Sequence, residues 1–444
     1  MTAGRPDVFV ITCHDMGRHL GCYGVRTVRS PNLDRLASSG ARFDAAFCSA
    51  PQCSPSRASL ATGRYPHSHG VMGLAHGSFG WDLNPGERHV AALLREHGYH
   101  CHLFGLQHVT PDPARLGFHS LHAQPGEEGA GGAAAPTVAA AFERFVQAPQ
   151  AGAPLYVEIN FVEPHRPYDF GGVGPDRTLG VVVPPYLPQT GEAELEMAAL
   201  QGAIHEVDRA IGSVVTALDG SRLSERPSLL VFSADHGIAM PRAKCTLYDP
   251  GIAIALLVRW RGEGGTAGIE VLDLVSNVDV VPTIFEAAGL PSPQHAQGIS
   301  LLPLLRGESR PGRDAVYAEK TFHSYYDPMR CIRTDRFKYI RSFEAAFAVE
   351  VPGDVQQGAI FRADPSPYSA DRDQPVELYD LREDPWEQDN LAGRHAVREV
   401  EAELAGRLWR WMAETRDPLL SGPTPSPRYR AAIADCVAKS STGC

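Results

Sequence analysis

The sequence predicts an α/β protein. A large mixed, mostly parallel sheet lies between helices over residues 1–315, a smaller C-terminal α+β subdomain covers 316–420, and a tail covers 421–444. Three observations predict it. Short apolar runs lack the polar alternation of half-exposed strands, as strands buried on both faces should. They alternate with helix-period segments, several of which stop at a glycine. After about Gly312 the texture changes to short strand-like pieces.

In chain order the candidate strands are Asp7 to Thr12, Tyr99 to Phe104, Leu155 to Phe161, Ser228 to Ser233 and Ile252 to Arg259. The helices between them are Pro31 to Ser39, Glu87 to His97, Pro136 to Gln147, Glu192 to Leu218 and Asp279 to Ala288. In the second part the strand-like pieces are Ala315 to Glu319, Arg330 to Arg333, Phe337 to Arg341 and Val376 to Leu381. A closing amphipathic helix from about His395 to Thr415 carries Val397, Val400, Leu404, Leu408 and Met412 on one stripe. The Gly- and Ala-rich stretch Pro125 to Pro136 reads as a loop, and the chain after Pro418 as weakly structured.

Composition narrows the function. The chain has 444 residues, 43% hydrophobic and 21% charged, which supports a sizeable core and excludes dominant disorder. With 41 Lys and Arg against 52 Asp and Glu the net charge is −11, and without a basic cluster nucleic acid is not expected as a partner. No apolar run approaches the roughly 20 residues of a membrane span, so no membrane partner is expected. The start of the chain passes into a strand without a signal-peptide pattern, so a cytoplasmic location is expected. Nine cysteines, an odd number without CxxC spacing, read as reduced thiols.

Ligands of open α/β sheets sit outside the carboxyl ends of the strands. Here those ends carry His14 and Asp15, His108, His165, and Asp235 with His236. Two Asp and several His converging on one rim suit a divalent metal and acid–base work. The most informative string is Cys53-Ser-Pro-Ser-Arg57-Ala-Ser-Leu-Ala-Thr-Gly63-Arg64. Pro55 and Ser56 open a short helix that Gly63 closes, which puts Cys53 at a helix N-terminus and Arg57 one turn along, a setting that favours anions.

That string resembles the defining motif of the type I sulfatases, in which the cysteine is oxidised to Cα-formylglycine. Landmarks in the same order agree with the resemblance: Leu20-Gly-Cys-Tyr-Gly24, Pro31-Asn-Leu-Asp-Arg-Leu36, Asp235-His-Gly237, Lys244 ahead of Leu247-Tyr-Asp-Pro-Gly251, Glu377-Leu-Tyr-Asp-Leu381 and Asp384-Pro-Trp-Glu-Gln-Asp-Asn-Leu391. Within the family the chain looks closest to heparan N-sulfatase (sulfamidase) and related bacterial enzymes. The resemblance implies an alkaline-phosphatase-like sandwich and hydrolysis of a sulfate ester or sulfamate on a small sulfated substrate, a carbohydrate and in particular an amino sugar. It further implies a maturation enzyme that converts Cys53 to formylglycine (3-oxoalanine), whose hydrated aldehyde is the nucleophile toward sulfur.

Carried over position by position, Asp15, Asp235 and His236 match metal ligands, with His14 beside them and modified Cys53 facing the metal. Arg57 matches the cation that holds the formylglycine, His108 the histidine paired with its hydroxyl, and His165 with Lys244 the pair that contacts sulfate and leaving group. Two departures from the family pattern bear on chemistry. His14 stands where a second Asp is usual; Ca2+ remains the expected metal, while two imidazoles would suit Mn2+ or Zn2+. Leu106 stands where a lysine is usual, with Arg18 or Lys320 as candidate substitutes. His323, Tyr325, Tyr326 and Arg330 are candidate pocket-wall residues. The alternative readings are a phosphonate monoester or phosphodiester hydrolase of the same fold, and a catalytically inactive binder of sulfated ligands.

Overall fold

The computed structural model describes residues 4–124, 133–148, 152–265, 268–308 and 312–441. Its strands are β1 Asp7–Cys13, β2 Ala41–Phe43, β3 Ala46–Phe47, β4 His100–Gly105, β5 Ser120–His122, β6 Leu155–Asn160, β7 Ser228–Ala234, β8 Leu256–Arg261, β9 Ile269–Val271, β10 Val275–Ser276, β11 Ala315–Phe322, β12 Tyr326–Thr334, β13 Phe337–Ser342 and β14 Val376–Asp380. Eight of them form one sheet in the order β5-β4-β6-β1-β7-β8-β2-β9. Within it only the β7–β8 and β2–β8 pairs are antiparallel. The predicted mixed, mostly parallel sheet is what is found.

The central strands read as continuous apolar runs because both faces are covered. Val8, Phe9, Val10 and Ile11 point alternately to the two sides, and none is more than 1% exposed. Helices Pro31–Ser39 and Ala135–Gln147 each pack on Gly191–Asp219, and a second group joins Cys53–Thr62 to Val280–Ala287. Short strands β2, β5 and β9 carried no sequence signal, since three residues are too few for a period to show.

Some boundaries move for identifiable reasons. The expected strand Ile252 to Arg259 begins only at Leu256, because Asp249–Ile252 forms a helical turn. Gly251 lets that turn press against the main chain: a Cβ there would lie 2.2 Å from the Thr246 carbonyl oxygen. The helix expected from Glu87 starts at Val90, where the His89 ring accepts the Ala91 N–H at 3.1 Å and serves as the cap. Most of the expected loop Pro125 to Pro136 lies outside the described residues, and its last two residues already belong to helix Ala135–Gln147.

Beyond Gly312, β11 to β14 form a four-stranded antiparallel sheet. Helix Arg398–Thr415 closes one face of it, burying Leu404, Leu408 and Met412 of the predicted stripe together with Trp411 against Ile332, Tyr339 and Leu378. The tail expected to be weakly structured instead contains the helix Pro427–Ser441. The segment leading into it is fastened by Thr424 N–H to the Tyr326 hydroxyl at 3.0 Å, and the helix start by Arg428 N–H to the Phe79 carbonyl at 3.1 Å.

Arg330 is not a pocket wall. It is fully buried on β12, paired with Asp417 at 2.5 Å and 3.7 Å from Glu319, where it ties the sheet to the end of the long helix. The sequence could not reveal this, because its carboxylate lies 87 residues away. Arg330→Ala would strand Asp417 without its counter-charge, and a loss of about 3–5 kcal/mol is expected in denaturant melts. An unchanged melt would contradict this structural role.

Candidate active site

Strands β4, β6, β1 and β7 are neighbours and run parallel, so their carboxyl ends lie on one rim. Each delivers part of the site. His14 and Asp15 follow β1, and Asp15 takes a left-handed backbone (φ 47°) that turns its N–H onto Asp235 Oδ1 at 3.0 Å. Asp235 and His236 follow β7, whose last residue Ala234 is paired with Cys13. His165 follows β6 and His108 follows β4, the latter again with a left-handed backbone (φ 59°).

Helix Cys53–Thr62 comes in against these ends. It is polar yet almost wholly buried, so its hydroxyls need partners. Ser56 donates to the Asp235 carbonyl at 2.5 Å, the Ser59 hydroxyl lies 3.0 Å from His69 Nε2, and Ser54 accepts the Ala75 N–H at 3.1 Å. Gln52, just before the helix, donates to the Phe322 carbonyl. Cys53 is 3% exposed with Sγ 3.3 Å from His236 Nε2. Burial pushes its thiol pKa up despite Lys244 and His236, the opposite of what a thiolate nucleophile needs. As a plain thiol it is poorly suited to attack.

Asp235 is the hub of the cluster. It accepts from Arg57 Nε at 3.0 Å and from the His236 N–H at 2.9 Å, and lies 3.1 Å from His14 Nδ1. Burial alone would raise its pKa; His236, His14 and Arg57 together hold it far below the carboxylate range. Arg57 also donates to Thr12 Oγ1 at 2.8 Å, while its remaining amino group is buried without a partner. Asp15 is fully buried, with Oδ2 2.8 Å from Lys244 Nζ and Oδ1 3.0 Å from His236 Nε2, and it too is held well below its ordinary pKa against burial.

Lys244 had the least support from sequence, because a lysine beside a Tyr-Asp-Pro-Gly turn is ordinarily solvated. The structure buries it to 2% exposure at the centre of the rim. Its ammonium lies 2.8 Å from Asp15, 2.8 Å from Asp354 and 3.3 Å from His165 Nε2. Burial opposes its charge, but the two carboxylates lift its pKa well above the usual value.

Asp354 was missed. It sits on the helical turn Gly353–Gln356, in the C-terminal part of the chain, and nothing in Pro352-Gly-Asp354 distinguishes it from a surface turn. His76 was missed as well; its ring stacks on His108 at 4.1 Å, and the His14 ring meets His108 edge-on at 5.3 Å. His14 is pushed down to about 3 by burial and Arg57, and His108 well below its ordinary value by burial and His14, so both rings are neutral near pH 7. Asp354→Asn would free Lys244 from one of its two carboxylates. Because Asp354 is partly exposed, turnover should fall about 10–100-fold with little change in the melting temperature; steady-state kinetics beside a thermal melt checks this.

Neither Arg18 nor Lys320 takes the place of the lysine missing at Leu106. Lys320 is clamped by Asp327 at 2.5 Å and Glu350 at 2.9 Å, and Arg18 donates to the Asp44 carbonyl. His323 and Tyr325 sit beside Glu350 and Phe347, and Tyr326 packs on Phe322.

The donor chemistry suits a divalent cation. Ligand atoms of His14, Asp15 and Asp235 all lie within 4.8 Å of one another, as do those of Asp15, Cys53 and His236. His14 Nε2 is buried without a hydrogen-bond partner.

Comparison with known proteins supplies the family. A family model described as Sulfatase matches residues 6–290, and one described as N-sulphoglucosamine sulphohydrolase, C-terminal, matches residues 240–357. The chain is 28% identical to human N-sulphoglucosamine sulphohydrolase over 94% of its length and 92% of that protein. A protein solved in complex with its substrate D-glucosamine-2-N,6-O-disulfate superposes with a TM-score of 0.71 at 18% identity, covering 94% of this chain and 99% of that one. The phosphonate monoester hydrolase of Agrobacterium radiobacter also gives 0.71, at 22% identity over 94% and 97%. Equal likeness to both fixes the fold and leaves the substrate to the site. Since the Sulfatase model spans the segments that carry His14, Asp15, Cys53, His165, Asp235 and Lys244, the chain belongs to the sulfatase family, hydrolases of sulfuric esters.

Proposed function

We propose that the protein removes sulfate, as ester or sulfamate, from an amino sugar. One observation carries this reading: Lys244, Asp15, Asp354 and His165 meet at the edge of the Cys53 cluster, and the family model matching residues 240–357 there is that of an amino-sugar sulfohydrolase. Lys244 is a fixed cation for a sulfate oxygen. His165, more than a quarter exposed, faces outward from it, where a leaving oxygen or nitrogen would take up a proton. Arg57 holds position 53 and the Asp235 carboxylate in register, and neutral His108 accepts a proton beside the nucleophile.

Position 53 is read as formylglycine, made by a maturation enzyme; it supplies an aldehyde hydrate in place of the unreactive buried thiol. Asp15, Asp235, His236 and His14 would hold the metal, which supplies positive charge to the sulfate oxygens. The two ionised carboxylates favour Ca2+; Mn2+ or Zn2+ would be favoured instead if both imidazoles coordinate. None of the eight described cysteines is in a disulfide, which supports a reducing, cytoplasmic setting. No helix among the described residues is long and apolar enough to cross a membrane.

The test is a substrate panel on matured protein: N-sulfoglucosamine, glucosamine-6-sulfate, an aryl sulfate and an aryl phosphonate monoester. Turnover led by the amino-sugar sulfates is expected, and preferential turnover of the phosphonate would replace this reading with the alternative hydrolase. Sulfate-sugar binding without product after confirmed oxidation of Cys53 would establish an inactive binder. Chelation should abolish turnover, with Ca2+ restoring more than Mn2+ or Zn2+; the opposite order would assign the imidazoles as ligands.

A further inference from the structure

Away from the Cys53 cluster, a cleft of about 940 Å3 is lined by the loop after β1 together with Tyr186 and Trp386. Its volume is that of a small-molecule site. Arg18, left without a role in catalysis, lies in it. Four arginines line the cleft against two aspartates, a local excess of positive charge in a chain of net charge −11.

Two of those arginines are already committed. Arg42 is paired with Asp44 at 2.6 Å and Glu270 at 3.0 Å, and Arg333 with Asp249 at 3.2 Å while covering the Phe47 ring. The other two are not. Arg18 donates to a main-chain carbonyl and feels Asp249 across the cleft without a hydrogen bond to it, and exposed Arg26 makes no ion pair among the described residues. In the same cleft the rings of Tyr186 and Trp386 pack 5.6 Å apart, and Trp386 keeps 37% of its surface exposed. Guanidinium groups bind sulfate through paired N–H donors, and an exposed indole takes the apolar face of a sugar ring.

We propose that this cleft is a second, non-catalytic binding site for a sulfated oligosaccharide, with Arg18 and Arg26 on its sulfates and Trp386 with Tyr186 under a sugar ring. The choice of ligand class rests on the amino-sugar reading above; the cleft itself does not. Its floor is continuous with the catalytic loops, because Gly17 N–H donates to the His236 carbonyl at 2.8 Å and Ile238 lines the cleft two residues further on. A chain held there is anchored to the loops that carry Asp15 and His236.

Calorimetric titration with a heparin-derived tetrasaccharide tests this. Arg26→Glu and Trp386→Ala should each weaken binding about tenfold or more, with turnover of the monosaccharide sulfates unchanged. Binding should persist in Lys244→Met, whose change lies in the catalytic cluster. Unchanged affinity in both cleft variants would overturn the proposal. So would inorganic polyphosphate binding equally well with and without Trp386, because charge alone would then explain the affinity. If no monosaccharide sulfate is turned over yet the cleft variants still lose the tetrasaccharide, the amino-sugar reading fails and the cleft stands.

Discussion

Cys53→Ala should reduce turnover by at least about 10³-fold, on the scale seen when a nucleophile is deleted, with an unchanged thermal melt. The fold should tolerate the change because Sγ makes a single polar contact, to His236 Nε2 at 3.3 Å, and an alanine fits the same helix start. Mass spectrometry of tryptic peptide 43–57 from the active protein supplies the companion result: sulfur and two hydrogens lost and one oxygen gained at position 53, as conversion of the thiol to the aldehyde requires. Turnover that survives in the alanine variant, or an active protein whose peptide is entirely thiol, would remove position 53 from the reaction.

Asp235→Asn is expected to act on both activity and stability. The carboxylate is shared among Arg57, His14 and two main-chain N–H groups, the second of them that of Asp15, and it is almost completely buried. An amide keeps the shape but loses the charge, and leaves Arg57 buried with an incomplete counter-ion. A fall of about 10²–10³ in kcat follows from loss of electrostatic organisation, with destabilisation of about 3–5 kcal/mol from breaking a buried pair. Both are measurable on one preparation, by kinetics and by denaturant melt. Since Asp235 is held ionised far below neutral pH, the wild-type protein should keep this contribution through the mildly acidic range and lose it only on strong acidification. A variant with wild-type stability and full turnover would show that the cluster around Asp235 is incidental.

The alternation of strands and helices, the apolar character of β1, β4, β6, β7 and β8, and the family were all legible in the order of the residues. These are local or short-range properties: burial on both faces writes itself as an unbroken apolar run, and the Cys53-to-Arg64 string holds its helix start, its cation and its closing Gly63 within twelve residues. The rim was legible too, because parallel neighbours send their carboxyl ends the same way.

The tertiary structure alone decided which polar groups meet. Lys244 was named from the resemblance alone, and its burial between Asp15 and Asp354, which lie 229 and 110 residues from it, is a matter of packing. Arg330 looked like a pocket wall and anchors Asp417, Lys320 is consumed by Asp327 and Glu350, and Arg18 belongs to another cleft. A lysine, arginine or aspartate has no sequence period that announces burial, and its charge is tolerated inside only where distant segments bring a counter-charge within hydrogen-bond reach. That pairing is a property of chain packing, so it becomes visible only once the fold has brought the partners together.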